Sequence, residues 1–265
     1  MKKLIRNALL KIRKPVENAL LNFPVLNYYI KDSLGKSDAF ELALGLYIKK
    51  FINKSDKPFF IQIGANNGVT NDPLYKFIIK YNLSGILVEP VPHLFDQLKR
   101  NYGNRKGLFF ENVAIGNPRD QLTFYRVKSD KHMYYDQLGS FSKETILKNK
   151  KTIRNLEALI VEEPVQVIDF NSLVKKYQKK KVDILIMDTE GYDAEIIKMI
   201  DFDKIDFDLV LFENKHLTPS DHNFCMDLLK TRNFKSIVNK SDTLCIKNDL
   251  VEISALAEKL NSKIS

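Results

Sequence analysis

Residues 59–70 read FFIQIGANNGVT and residues 85–90 read GILVEP, and these two runs constrain the fold more than any other part of the chain. An unbroken aromatic and β-branched run is what a strand buried on both faces of a parallel sheet requires. The small-residue turn that ends the first run lets backbone pass close to a ligand. Gly64 and Gly68 lack a Cβ, so they can take positive φ and leave room for a nucleoside. Glu89 follows about twenty residues after the turn, at the end of the next expected strand, where a carboxylate accepts hydrogen bonds from both hydroxyls of a ribose.

From residue 59 onward, strand-like and helix-like segments mostly alternate. Strands are expected at 59–64, 85–89, 108–115, 182–188 and 207–213, β-like stretches at 121–127 and 165–170, and two closing strands at 235–239 and 243–247. Helices are expected near 72–81, 92–102, 171–180, 192–200 and 220–231. That order predicts a doubly wound, mostly parallel α/β sheet with ligands at the carboxyl ends of its strands. Residues 128–160 are polar and poorly periodic, and read as an insertion over the site that supplies substrate contacts. Residues 1–57 read as a basic N-terminal helical extension, with Ser37 and Asp38 opening a helix, and residues 58–265 as the main α/β domain.

The chain of 265 residues carries a formal charge of +9, which invites a nucleic-acid reading. The excess is uneven: residues 1–57 hold 12 Lys or Arg against 5 Asp or Glu, and the remaining 208 residues hold 30 against 28. The domain body is thus nearly neutral, and no aromatic-basic nucleic-acid module is recognisable. Residues 1–14 place Leu4, Ile5, Ala8, Leu9 and Ile12 at helical spacing among basic residues. Such a helix suits an anionic membrane surface, and equally an accessory helix packed on the domain. No run approaches the roughly 18 consecutive apolar residues that span a bilayer, and basic residues interrupt any signal-peptide core. Cys225 and Cys245 form no CxxC pattern, which points to a reduced compartment. The expected location is cytoplasmic, with peripheral contact at the inner face of the membrane as its variant, and the oligomeric state stays open.

The turn Gln62-x-Gly64-x-Asn66-x-Gly68 departs from GxGxxG, because Val69 stands near the third glycine position and disfavours a dinucleotide. Beside it stand Glu89-Pro90, then Asn112-Val113-Ala114 at the third strand end and Asp188 at the fourth. The motifs IGANNG, LVEPVPHLFDQL, ENVAIG, DILIMDTEGYDAEII and VLFENKHL occur in that order over roughly residues 58–248. On these motifs the chain resembles the FkbM family of S-adenosylmethionine-dependent methyltransferases. The resemblance implies a class I methyltransferase (Rossmann-like) fold, doubly wound around a mostly parallel seven-stranded sheet, with S-adenosylmethionine as cofactor. It also implies that Gly64, Ala65, Asn66 and Gly68 lie along the methionine and ribose, that Glu89 holds the ribose hydroxyls and that Asn112, Val113 and Ala114 flank the adenine. Asn67, Pro90 and Asp188 complete the expected cofactor contacts. Asn66 and Asn67 also suit a turn that needs left-handed backbone, and Asn112 also suits a loop cap. Gln62 stands where class I enzymes often carry an acid. Its amide still accepts a hydrogen bond from the cofactor's ammonium but lacks the charge.

Methyl transfer to an alcohol needs the nucleophile positioned and its proton removed as the bond forms. His216 is the first candidate base, with Asp188 or Glu213 orienting its ring. A divalent metal, Mg²⁺ or Mn²⁺, is an open variant with Asp188, Glu190, Asp193, Glu213 and His216 as donors, but nothing in their spacing demands it, and no metal is assigned. Tyr134, Tyr135, Ser140 and Lys215 are candidate substrate contacts. The expected activity is O-methylation of a hydroxyl on a sugar of a surface polysaccharide or related glycan, the sugar part being what the resemblance implies. RNA or small-metabolite methylation, and a non-catalytic cofactor-binding scaffold in a glycan-synthesis complex, are the competing readings.

Overall fold

The computed structural model describes residues 15, 18–33, 38–52, 57–118, 123–128, 135 and 138–261. The expected basic helix over 1–14, and the membrane contact assigned to it, lie outside the described residues, as does Tyr134. In chain order, α1 (Pro24–Asp32) and α2 (Ala39–Phe51) precede β1 (Phe59–Ile63), α3 (Tyr75–Tyr81), β2 (Ser84–Val88), α4 (Pro92–Tyr102), β3 (Leu108–Glu111), β4 (Ala114–Ile115) and β5 (Phe124–Val127). β6 (Gly139–Ser140), α5 (Lys143–Leu147), α6 (Leu156–Leu159), β7 (Ile160–Glu163), β8 (Val167–Ile168), α7 (Phe170–Lys176) and β9 (Lys181–Met187) follow. The chain continues through α8 (Asp193–Met199), β10 (Asp206–Glu213), α9 (Pro219–Thr231), β11 (Phe234–Val238), β12 (Asp242–Lys247) and α10 (Val251–Asn261).

The chain divides into two compact units, one of residues 1–58, 73–83 and 249–265, the other of residues 59–72 and 84–248. The segments 73–83 and 249–265 gather in one unit with residues N-terminal to β1. In that smaller unit Asp38 caps α2 by accepting from the backbone N–H of Phe40 at 2.8 Å. One turn later Glu41 accepts from Asn27 and pairs with Lys31 and Lys76. Burial alone would raise the pKa of Glu41, and the two ammonium groups more than reverse it. No helix among the described residues is long and apolar enough to cross a membrane.

The larger unit is built on a seven-stranded sheet in the order β11-β12-β10-β9-β1-β2-β3. β1 pairs in parallel with β2 and β9, β2 with β3 and β9 with β10, whereas β12 runs antiparallel to both β10 and β11. All five β1 residues are buried, as a strand central to such a sheet requires. Phe170, Leu173 and Val174 of α7, Ile196 and Ile197 of α8 and Leu229 of α9 join Ile61, Leu185 and Val210 in one core. Truncating any of these aliphatic side chains to alanine costs about 2–5 kcal/mol in cores of this kind. Cys225 and Cys245 sit in this core as free thiols, and burial pushes both up to about 12, so neither is a nucleophile at neutral pH.

Two stretches depart from the expected elements. The single strand expected over 108–115 is two strands, because the Asn112 amide donates to the carbonyls of Glu89 (2.8 Å) and Pro90 (3.0 Å) and ends the β2–β3 ladder. The chain then turns into β4, which pairs in parallel with β8. Within 128–160, the expected loop-like insertion carries β6, α5, α6 and β7, and β5 is the centre strand of a separate three-stranded antiparallel sheet. Its own small core of Val127, Ile146, Ile153 and Leu156 holds it together. α1 and α10 are helices that the sequence reading did not propose.

Candidate active site

The chain runs outward from β1 through β2 to β3, then returns to β9 on the other side of β1. A crevice opens outside the carboxyl ends at such a reversal of strand order. The register makes those ends level: Ile63 lies opposite Val88 and Met187, and Met187 opposite Phe212. Gly64, Glu89, Asp188 and Glu213 therefore emerge along one edge.

The turn after β1 is fastened from both sides. Gly64 and Ala65 donate their N–H groups to the Val88 carbonyl, at 3.0 and 2.9 Å. Gly64 has φ +76°, and a Cβ there would lie 1.9 Å from the Asp188 carbonyl oxygen, so two strand ends meet at this residue. Gly68 also has positive φ, but a Cβ there would strike Leu98 and Tyr102 of α4 at 2.4 and 2.5 Å. Its missing side chain thus admits helix α4. Asn66 takes left-handed backbone, and its side chain accepts from the N–H of Asn67 at 2.7 Å. The Asn67 side chain accepts from the N–H groups of Val69 and Thr70, which commits it to the turn.

Glu89 is 4% exposed. Its two oxygens each take one backbone donor, Oε2 from Asn66 at 2.8 Å and Oε1 from Val91 at 2.9 Å. A carboxylate has about four lone-pair sites, so both oxygens keep capacity for a diol. Burial pushes Glu89 up to about 7, against the two backbone hydrogen bonds, which lower it. Gln62 is buried as well: its Nε2 donates to Asp72 at 3.1 Å, while its Oε1 is buried without a partner. An orphaned acceptor and a diol-ready carboxylate flanking one turn fit the ammonium and ribose of S-adenosylmethionine. The Asn112 side chain ties down the turn after β2, and Val113 and Ala114 are buried, Val113 in the main core.

The reactive end of the edge is acidic. Asp188, just past β9, is exposed, and among the described residues its carboxylate takes no hydrogen bond or ion pair. Surrounding protein and the charges of Asp193, Glu190 and Asp242 push it up to about 7, with Lys215 opposing. Asp193 is fully buried and accepts from the Thr189 N–H and hydroxyl with one oxygen and from the Glu213 N–H with the other. It ties the β9 and β10 ends together. Replacing Asp193 with alanine orphans two backbone donors, and the expected loss is about 2–4 kcal/mol of stability. Chemical denaturation of the variant checks that loss.

Of the two carboxylates expected at the His216 ring, Glu213 is there and Asp188 is not, and Glu190 stands closer than either. Nε2 lies 3.1 Å from Glu190 Oε2 and 3.6 Å from Glu213 Oε1, and Asp188 is not among its ion-pair partners. Nδ1 is buried without a partner, and Nε2 is turned to the two glutamates. Glu213 has a second oxygen buried without a partner, and burial together with Asp188, Glu190 and Asp193 pushes it up to about 9. Glu190, placed by sequence only among metal donors, is the ring's nearest carboxylate because left-handed backbone at Glu190 and Gly191 folds the loop back. Ser140, expected at the substrate, is 1% exposed and donates its hydroxyl to the Glu190 carbonyl at 2.8 Å. Tyr135 packs on the small core beside β5, and Lys215 is exposed.

No curated protein matches the chain. Among solved structures it is similar to fibrillarin from Methanococcus jannaschii, at 12% identity and TM-score 0.39, over 72% of this chain and 66% of that one. It is also similar to precorrin-6y C5,15-methyltransferase from Geobacter metallireducens, at 11% identity and TM-score 0.38, over 78% and 88%. Aeropyrum pernix fibrillarin, crystallised with bound S-adenosyl-L-methionine, gives 10% identity and TM-score 0.37, over 73% and 66%. Likenesses this distant carry no argument about activity. The methyltransferase FkbM domain profile matches residues 62–236, a span that opens at Gln62 in β1, takes in Glu89, Asp188, Glu190, Glu213 and His216, and closes in β11. With its cofactor turn, diol-ready Glu89 and level strand ends, the chain belongs to the FkbM family of S-adenosylmethionine-dependent methyltransferases.

Proposed function

We propose that this protein methylates a hydroxyl group, most readily one on a sugar of a surface polysaccharide or related glycan. The observation that carries the hydroxyl reading is the free, exposed Asp188 carboxylate, set at the strand end that meets the Gly64 turn. S-adenosylmethionine, when bound, supplies an electrophilic methyl group. Gln62, the 64–68 turn and Glu89 hold and orient it. An alcohol is a weak nucleophile until its proton leaves, and a carboxylate without a partner of its own, at the strand end that meets the cofactor turn, is placed to take that proton. The sugar itself is supported by the family resemblance.

Replacing Asp188 with asparagine is expected to lower kcat by about 100-fold or more while leaving S-adenosylhomocysteine affinity within about threefold, because the side chain acts on the acceptor proton. Steady-state turnover and calorimetry read the two quantities separately. An undiminished kcat removes Asp188 as the base. Mass spectrometry of glycans from cells with and without the protein tests the acceptor class. A missing methyl-group mass supports the glycan, and an unchanged profile directs the search to small metabolites. Tight cofactor binding with no turnover on any acceptor favours the scaffold reading.

A further inference from the structure

Three side chains beside Asp188 are arranged for a task that proton removal does not need. We propose that Glu190, Glu213 and His216 form a binding site for one divalent transition-metal cation. Their ligand atoms lie within 4.8 Å of one another. Metal–ligand bonds of about 2.1 Å place neighbouring donors roughly 3.0 Å apart at right angles and roughly 3.4 Å apart in a tetrahedron. The Nε2–Oε2 distance to Glu190 is 3.1 Å and the Nε2–Oε1 distance to Glu213 is 3.6 Å, close to those two spacings.

Chemistry points the same way. Glu213 is 9% exposed, and its Oε2 is buried with no donor in reach. A buried carboxylate without a donor is costly, and a cation is what offsets that cost. Among the described residues, neither Glu190 nor Glu213 has a Lys or Arg within ion-pair distance. Lys215 acts on Glu213 only at longer range. The His216 side chain is 6% exposed and directs one nitrogen at both carboxylates, the posture of a ligand.

The donors are also held in place. The Glu190 carbonyl accepts from the Ser140 hydroxyl, the Glu213 N–H donates to Asp193, and the N–H groups of Asn214 and Lys215 donate to the Ser241 carbonyl. Such outer contacts orient ligands before the ion arrives. Glu190, with 25% of its side chain exposed, leaves one side open to solvent and to an acceptor oxygen. One imidazole and two carboxylates suit Mn²⁺ or Zn²⁺ better than Mg²⁺, which keeps to oxygen donors.

A catalytic use of the ion rests on the hydroxyl-transfer reading; the binding does not. With the acceptor oxygen on the ion, its proton passes to the Asp188 carboxylate, the oxygen–methyl bond forms, and the sulfur–methyl bond breaks with its electron pair left on sulfur.

The test uses the full chain stripped with a chelator and titrated with MnCl₂, followed by electron paramagnetic resonance of the free ion, and with ZnSO₄ by calorimetry. One ion per chain is expected, with binding weakened roughly 30-fold or more in both His216→Ala and the more exposed Glu190→Gln. Circular dichroism and S-adenosylhomocysteine affinity establish that each variant is folded. Absence of saturable binding overturns the site, as does binding that survives both substitutions. Displacement of Mn²⁺ by equimolar Mg²⁺ overturns the transition-metal assignment. Loss of S-adenosylhomocysteine binding in the unmodified protein would instead strike the methyltransferase reading, so the two failures are distinguishable.

Discussion

Replacing Glu89 with alanine is expected to weaken S-adenosylhomocysteine binding by about 100-fold or more, because two charge-assisted hydrogen bonds to the ribose diol are lost together. The substitution also frees the N–H groups of Asn66 and Val91, which the two carboxylate oxygens hold at 2.8 and 2.9 Å. Isothermal calorimetry on the full chain measures the change, and an affinity within threefold of the unmodified protein would remove Glu89 from the cofactor site. The same carboxylate predicts a pH dependence. A diol binds the ionised form, and Glu89 without cofactor is pushed up to about 7, so affinity should fall as pH drops below that value. One linked proton gives roughly a tenfold loss per pH unit below the pKa. Glu89→Gln is expected to bind weakly and with a flat profile. For stability the sign is opposite: the folded pKa lies above the ordinary glutamate value of 4.5, so this group's contribution is full below 4.5 and lost as pH rises through about 7. The shift corresponds to roughly 3 kcal/mol for this one group, read as the difference between urea melts at acidic and neutral pH in the two proteins.

Gly64→Ala carries the second large effect. The new Cβ would lie 1.9 Å from the Asp188 carbonyl oxygen, and both atoms belong to backbone that neighbouring strands hold in register. Left-handed backbone alone costs an alanine about 1–2 kcal/mol. Moving two strand ends apart adds to it, for an expected total of about 3 kcal/mol or more, with cofactor binding lost as the turn shifts. Gly103→Ala is the control without a clash: nothing lies within 4 Å of a Cβ there, and its φ +60° and ψ −153° are a backbone nearly exclusive to glycine. It should show the conformational part only. Equal losses in the two variants would mean that the close approach at Gly64 is relieved without consequence.

How much of this was legible beforehand follows from the range of the interactions. The strands, the turn and Glu89 are set by local patterns: β-branched runs, glycines where φ is positive, and a carboxylate at a strand end. The N-cap at Asp38 is equally local, and its bond to Phe40 is present. The elements within 128–160 leave no mark in the sequence because the short strands bury little surface each and show no period, and pairing with β5 is what orders them. Gly68 shows its turn locally, but its close approach to Leu98 and Tyr102 of α4, about thirty positions away, leaves no local mark.

The acceptor side of the site shows the same division most sharply. Residue types alone placed Asp188, Glu190, Glu213 and His216 near one edge, since each follows a strand whose carboxyl end faces the crevice. Which of them touch was decided in three dimensions. β9 lies beside β10 in register, left-handed backbone at Glu190 turns its carboxylate toward His216, and Asp193 is drawn inward to join the two strand ends. The sequence by itself determined the sheet, the cofactor turn and the family, because those depend on periodicity and on single-residue conformational freedom. Only the tertiary structure decided that His216 faces two glutamates and that Asp188 stays free, because hydrogen-bond and ion-pair partners are chosen by distances of a few ångströms across strands that the chain visits far apart.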